Sequence, residues 1–372
     1  MRIPFYNLAA EHDWLRPELD EAYRRVVSSG WFILGPEVEA FEREFAAYCG
    51  AQACIGVANG LDALRLSLRA LGVGRGDEVI VAAHTFVATW MAVADVGATP
   101  VACEPEPGGA AIGTAAVERL ITPRTRAVIP VHLYGVPAPV DDLAELCGAS
   151  GLHLVEDAAQ AHGARRRGRS CGSFGAAGCF SFYPSKNLGA LGDGGGIITS
   201  DIGLAKRLRR LRNYGSAVKY QVEEEGWNSR LDELHAAFLR VKLTRLDELN
   251  ARRNALAQIY LDGLADLDGV ALPQVSSGDA PVWHLFVLRT RERDALRAHL
   301  ADAGIETGLH YPIPVYRMAP FRKYAPPAHG ASDLLAAESL SLPLWPLMKT
   351  ESAETVRDAV RTFFVRMRRA ER

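Results

Sequence analysis

The sequence predicts an α/β protein, with a mostly parallel sheet flanked by helices and a smaller α+β unit at the C-terminus. Three observations lead there. Short runs rich in Val, Ile and Leu (DEVIVAA, TRAVIPVHLYG, LHLVEDAAQ, GCFSFYPS, GGGIITS) alternate with amphipathic or glycine-marked stretches, as parallel strands joined by crossover helices do. From LRRLRNYG onward the pattern turns helical. There RLDELHAAFLRVKLTRLDELNARRNALAQIYLDGL keeps apolar residues three and four apart, over a length that suits one long helix bridging two domains. After Pro273 comes a new strand, VWHLFVLRT, then a helix, RERDALRAHLADAG, and the proline-rich HYPIPVY. The expected boundary lies near residue 246, giving a large domain over 1–245 and a small one over 246–372.

Composition sets the outer limits. A chain of 372 residues that is 48% hydrophobic and 23% charged can bury a large core, and about 150 residues per domain suggests two units. A formal charge of -2 with both signs interspersed offers no broad cationic face for a polyphosphate backbone, which argues against nucleic acid and for a small-molecule partner. The six cysteines are scattered without a close C-x-x-C pair and read as reduced, structural thiols; histidines 84, 132, 153, 162 and 310 fall at no metal spacing, so no metal is expected. MRIPFYNLAAEHDW has polar and acidic residues where a secretory signal needs an apolar run, and no later stretch is long and apolar enough to span a bilayer. The expectation is a soluble, cytoplasmic protein with no membrane partner.

In open α/β sheets ligands bind at the carboxyl ends of the strands. LHLVEDAAQAHG is such a place: Leu152 to Val155 form the strand, and Glu156, Asp157, Gln160 and His162 follow at its end. An acid capping the next helix would explain one carboxylate, but not two together with Gln160. In CFSFYPSKNLGALGDGGG, Lys186 follows a strand of aromatic and small residues and precedes a glycine-rich loop. Such surroundings disfavour the ammonium form, and the neutral amine is the nucleophile that forms imines. In VANGLDALRLSLRAL a glycine-containing turn opens an amphipathic helix, whose free N–H groups and positive dipole end suit a phosphate. GVGRGDE precedes a strand instead of linking a strand to a helix, so it reads as a turn and not as a dinucleotide fingerprint.

Together these segments resemble the nucleotide-sugar aminotransferases of the fold-type-I pyridoxal-phosphate (PLP) superfamily, the DegT family. The resemblance runs in order from SSGWFILGPEVEAFEREFAAYCGA through ANGLDAL, GDEVIVAAHTFVATW, ITPRTRAVIPVHLYG, VEDAAQAHGA and FSFYPSKNLGALGDGGG to GWNSRLDELHAAFLRVKL. It implies a seven-stranded sheet in a large PLP-binding domain. It implies that Lys186 carries pyridoxal 5'-phosphate as a Schiff base and moves protons, that pyridoxamine phosphate forms between half-reactions, and that Asp157 keeps the pyridine nitrogen protonated. Gln160 would touch the ring's phenolic oxygen and Phe86 would lie against the ring. Gly60, the N–H of Leu61 and Ser181 would receive the phosphate. The family commonly has Thr or Ser where this chain has Leu61, so only the amide remains there. Asn228 would reach the phosphate from the neighbouring subunit of a homodimer with shared sites.

Lys186 also favours amine transfer, because a related branch has histidine there and removes a hydroxyl instead. HTFVATW, VEDAAQAHGA, VWHLFVLRT and LHYPIPVY are most similar to enzymes that aminate C3 of a dTDP-linked 3-keto-6-deoxyhexose with glutamate as donor. In that branch the sugar would lie near Tyr183, Lys219, His310 and Tyr311, with Trp31 and Phe32 approaching from the partner subunit. The alternatives are amination at C4 of a dTDP- or UDP-linked 4-keto-6-deoxyhexose and, in another class, a non-catalytic PLP-fold sensor.

Overall fold

The computed structural model describes residues 2–326 and 330–370. Seven strands build the central sheet: β1 (Ala53–Val57), β2 (Glu78–Ala82), β3 (Thr99–Cys103), β4 (Thr125–Ile129), β5 (His153–Asp157), β6 (Ala177–Ser181) and β7 (Gly195–Thr199). Their order is β1-β7-β6-β5-β4-β2-β3, and β7 alone runs antiparallel to its neighbours. All five residues of β1, β2 and β7 are buried, which explains their continuous apolar runs: a sheet covered on both faces has no polar side to alternate with.

The helix Gly60–Ala70 covers one face. Asn59 caps it, its side-chain oxygen accepting from Asp62 N, while Ala63, Leu64, Leu66 and Leu68 enter the core. The helix Pro36–Cys49 covers the other face, starting on a proline and ending before Gly50 at φ 68°, with Phe41 and Phe45 packed on Phe180 and Phe182.

The single long helix expected over 230–264 is two. One spans Glu233–Leu243 and the other Leu246–Leu264. The break follows from local hydrogen bonding: the Thr244 hydroxyl donates to the carbonyl of Val241, Arg245 N donates to Lys242 O, and Arg245 sits at φ −111°, ψ −1°. Each half then buries its own cation against a different part of the molecule. Lys242 pairs with Glu11 at 3.0 Å, and Arg253 donates to the carbonyls of Trp283 and Leu344 and to the Tyr6 hydroxyl.

A second apolar cluster gathers Leu256, Tyr260 and Leu264 with the antiparallel strands β8 (Phe286–Arg289) and β9 (Ser339–Leu342) and the helices Arg293–Asp302 and Thr350–Ala370. Ile3 joins this cluster and pairs with Ile305. The strand expected over VWHLFVLRT begins only at Phe286, which leaves Val282 and His284 free to face the large sheet's loops. Among the described residues no helix is long and apolar enough to cross a membrane.

Candidate active site

At the end of β5 the strand's two-residue alternation sends two adjacent acids to opposite fates. Glu156 is fully buried and takes four hydrogen bonds, from His132 Nε2 (3.0 Å) and from the backbone N–H groups of Gly172, Phe174 and Gly175 (2.6–2.8 Å). Ala138 N–H occupies His132 Nδ1, which leaves Nε2 as the donor to the carboxylate. Glu156 therefore closes the 172–175 loop and is spent on structure. Neither acid caps a helix, because turns and not a helix follow Asp157.

Asp157 points the other way. It is 6% exposed, accepts from the Thr89 hydroxyl (2.8 Å) and from Ala159 N (3.2 Å), and feels the charge of Lys186. Burial raises its pKa, and these three partners, with His132, oppose the rise. The Thr89 backbone N–H donates to the carbonyl of Phe86, so one short helical start fixes both the acid and the residue that carries the aromatic ring.

Lys186 stands on the turn after β6, half-buried, its backbone N–H held by Tyr183 O at 2.8 Å. No hydrogen bond or ion pair engages its ammonium among the described residues. Burial pulls its pKa down from 10.5 to about 8, and Asp157 opposes the shift. Roughly a tenth of the amine is thus neutral at pH 7, far more than for an ordinary lysine, and the neutral form is the imine-forming nucleophile.

Around these two lie most of the other expected residues. A Cβ on Gly60 would stand 2.7 Å from Ser181 Cβ, so only glycine lets the helix start approach the end of β6 this closely. Asn59 satisfies Asp62 N and Ala63 N, and the amides ahead of them, of Gly60 and Leu61, have no carbonyl four residues back inside the helix. Gln160 accepts from Tyr134 N and donates to the Tyr311 hydroxyl (3.0 Å). The Phe86 ring is 54% exposed and its centroid lies 5.7 Å from that of Tyr311. His310 Nδ1 meets the Ser341 hydroxyl at 2.8 Å, and burial lowers the ring's pKa to about 4. A buried carboxylate, a lysine of lowered pKa, a helix start with free amides and an exposed aromatic face fit PLP: acid for the ring nitrogen, amine for the aldehyde, amides for the phosphate, and a ring to stack on.

Trp31, Phe32, Lys219 and Asn228 are not part of this group. All four are exposed, and no hydrogen bond, ion pair or ring contact joins them to it among the described residues. Trp31 and Phe32 belong to a loop pinned to the 232–233 segment by the Ile33–Asp232 bridge and by Glu233 N to Phe32 O (3.0 Å), close in sequence to Asn228. Lys219 tips a hairpin, its amine 5.1 Å from the centre of the Tyr220 ring.

A model of the DegT/DnrJ/EryC1/StrS aminotransferase family matches residues 14–361. The chain belongs to this family. It is 52% identical over 371 residues to a Streptomyces venezuelae protein named dTDP-3-amino-3,4,6-trideoxy-alpha-D-glucose transaminase, covering 99% of this chain and 98% of that one. It is 53% identical over 358 residues to the erythromycin biosynthesis sensory transduction protein EryC1 of Saccharopolyspora erythraea, covering 96% and 98%. The crystal structure of S. venezuelae DesV in complex with a ketimine intermediate superposes with a TM-score of 0.96 at 53% identity, over 97% of this chain and 98% of that one. As an aminotransferase of this family the chain is a PLP enzyme.

Sequence reasoning missed several residues of the aminotransferase site. Thr89, which holds Asp157, sits one helical step from Phe86 in the quoted HTFVATW, and that spacing was the available signal. Tyr134 ties the site's far wall: its hydroxyl donates to the carbonyl of His310 and meets His84 Nε2 at 2.9 Å. Its backbone at φ 63° is set by tertiary packing and leaves no mark in the sequence.

Proposed function

We propose that this enzyme transfers an amino group from glutamate to C3 of a dTDP-linked 3-keto-6-deoxyhexose, giving a dTDP-3-amino-3,6-dideoxyhexose. The chemistry rests on one observation above all, a lysine amine lowered to about 8 at a strand end beside a buried carboxylate. The position on the sugar is supported by the relative that is 52% identical along almost the whole chain and named for a 3-amino sugar.

Bound PLP supplies an electron sink for the electron pair left on a substrate carbon when its proton is removed. Lys186 would hold the cofactor and, as a free amine, would lift and return that proton. Asp157, whose rise in pKa on burial is opposed by Thr89 and Ala159 N, would pair with the protonated ring nitrogen. The Gly60 and Leu61 amides and the Ser181 hydroxyl would hold the phosphate, with Leu61 contributing no side-chain contact. Gln160 keeps one N–H for the phenolic oxygen after serving Tyr311, and Phe86 covers the ring. Glutamate would leave as 2-oxoglutarate, its keto oxygen supplied by water. The keto-sugar would take the amine and give up its oxygen as water near Tyr183, His310 and Tyr311, with Lys219 reaching it from the exposed 216–222 hairpin.

Trp31, Phe32 and Asn228, exposed in one protomer, complete the site of the second protomer of a cytoplasmic homodimer. On this reading residues 1–245 are the PLP-binding domain and 246–372 the smaller one. The relative named a sensory transduction protein favours a second reading, a sensor that binds the cofactor without turnover.

One experiment separates these readings. Protein, PLP and glutamate are incubated with dTDP-linked 3-keto and 4-keto 6-deoxyhexoses in separate tubes, and products are read by mass spectrometry and NMR. Amine at C3 alone is the expected result. Amine at C4 alone moves the reaction along the ring with the residue roles intact, and no amine from either sugar favours the sensor.

A further inference from the structure

The turn that carries Lys186 is anchored from behind by a chain of buried amides. Asn187, next in sequence, is 5% exposed, and its amide nitrogen donates to Asn250 Oδ1 and to the carbonyl of Val282, both at 2.9 Å. A backbone carbonyl only accepts, so the orientation of the Asn187 amide is fixed and its oxygen accepts from His284 Nδ1 at 3.2 Å. His284 is buried and its pKa is pushed well below 6.5, chiefly by burial, so the ring is neutral with its proton on Nδ1. Asn250 Nδ2 in turn donates to the carbonyl of His162 at 2.9 Å, in the segment that begins with Asp157 and Gln160. There is little slack at this end, since a Cβ on Gly163 would stand 2.7 Å from Asn250 Nδ2.

We infer that Asn187 and Asn250 are positioning residues that lock the Lys186 turn to the Asp157–Gln160 segment and so set the spacing between amine and carboxylate. The inference rests on the reading of Lys186 as the cofactor lysine. The demand for such a lock comes from the reaction: the amine must leave the cofactor, move a proton and return, while the backbone beneath it stays still. Hydrogen bonds to an amide of fixed orientation supply that stillness without touching the amine. Two of the anchors, Val282 and His284, lie on the segment leading into β8, so the C-terminal strands also hold the lysine turn. Since the amine's pKa balances burial against Asp157, a loosened turn admits water and moves that balance toward an ordinary lysine.

The test uses full-length holoenzyme carrying Asn187→Ala, Asn250→Ala or both, with Asn187→Ser read in the same way should an alanine variant fail to fold. Four quantities are measured: the pH midpoint of the absorbance band of lysine-bound PLP, kcat and KM for glutamate, the pH midpoint of Lys186 acylation in cofactor-free protein, and the melting temperature. Each single variant is expected to lower kcat about tenfold to a hundredfold with little change in KM, and to raise the acylation midpoint above about 8. The double variant is expected to be no worse than the worse single, because the two amides form one link. A lower melting temperature with unchanged kcat and midpoints would overturn the proposal, and so would additive losses in the double variant. A wild-type protein with no lysine-bound PLP band would instead refute the reading of Lys186, a result distinct from any of these.

Discussion

The floor and the rim of the candidate site are built on different principles. On the floor, Asp157 and Gln160 are 6% and 4% exposed, and each is held by at least two hydrogen bonds from its own chain. On the rim, Phe86 and Tyr183 are each more than half exposed and present bare aromatic surface, as Trp31 does on its separate loop. The floor is complete within one chain and already tuned electrostatically. The rim is a collection of apolar groups awaiting cover by ligand or by a second copy, and such surface on a folded protein marks a place of contact.

The sharpest way to break this comparison is on the floor. Lys186→Ala is expected to reduce amine transfer by roughly a thousandfold or more and to abolish the lysine-bound cofactor band, with the melting temperature essentially unchanged. Substantial turnover in that variant would remove the floor's central role. Its structural neighbour behaves in the opposite sense. Glu156→Ala strips the partner from His132 and three backbone N–H groups, which should cost about 3–5 kcal/mol of stability in chemical denaturation, whereas Asp157→Asn should fold normally and lose most activity.

The rim is tested by mixing chains. A hybrid of one Lys186→Ala protomer with one Asn228→Ala protomer holds one intact site if Asn228 serves its partner, and none if it serves its own chain. The expected result is recovery of the wild-type rate at one site per dimer, measured on the purified hybrid. Failure to recover would return Asn228 to its own chain.

The smallest effect concerns pH. In cofactor-free protein, acylation of Lys186 should follow a midpoint near about 8. Asp157 holds that value up by favouring the charged amine, so Asp157→Asn should move the midpoint lower. A midpoint near 10.5 would mean that the floor is wetter than its burial indicates.

Much of this was legible in the sequence because the signals are local. Continuous apolar runs announce strands covered on both faces, Asn59 and Gly60 announce a helix start, and a polar cluster after a strand announces the site. What was illegible is what depends on partners distant along the chain. Glu156 and Asp157 look equivalent as letters, and only the 172–175 loop decides which is structural. The break at Thr244 and Arg245 escapes notice because both halves keep the 3.6-residue period and neither glycine nor proline intervenes. Asn187 was masked by the lysine beside it, its partners lying 63 and 97 residues away.

The six cysteines, all free and buried, follow the local reading too. Burial pushes the Cys49 thiol up to about 12, so it is inert at ordinary pH.

Ile3 forms backbone hydrogen bonds with Gly304 and Glu306 on either side of Ile305, and the Glu306 carboxylate accepts from Phe5 N. Ile3 is thereby stitched to a segment about 300 residues further along the polypeptide, and this has a consequence for synthesis. At roughly 5–20 residues per second, Ile3 waits on the order of 15–60 s before the segment that pairs with it exists. Ile3 is therefore placed only after residues 304–306 are made, and the second core, which includes both Ile3 and Ile305, closes no earlier.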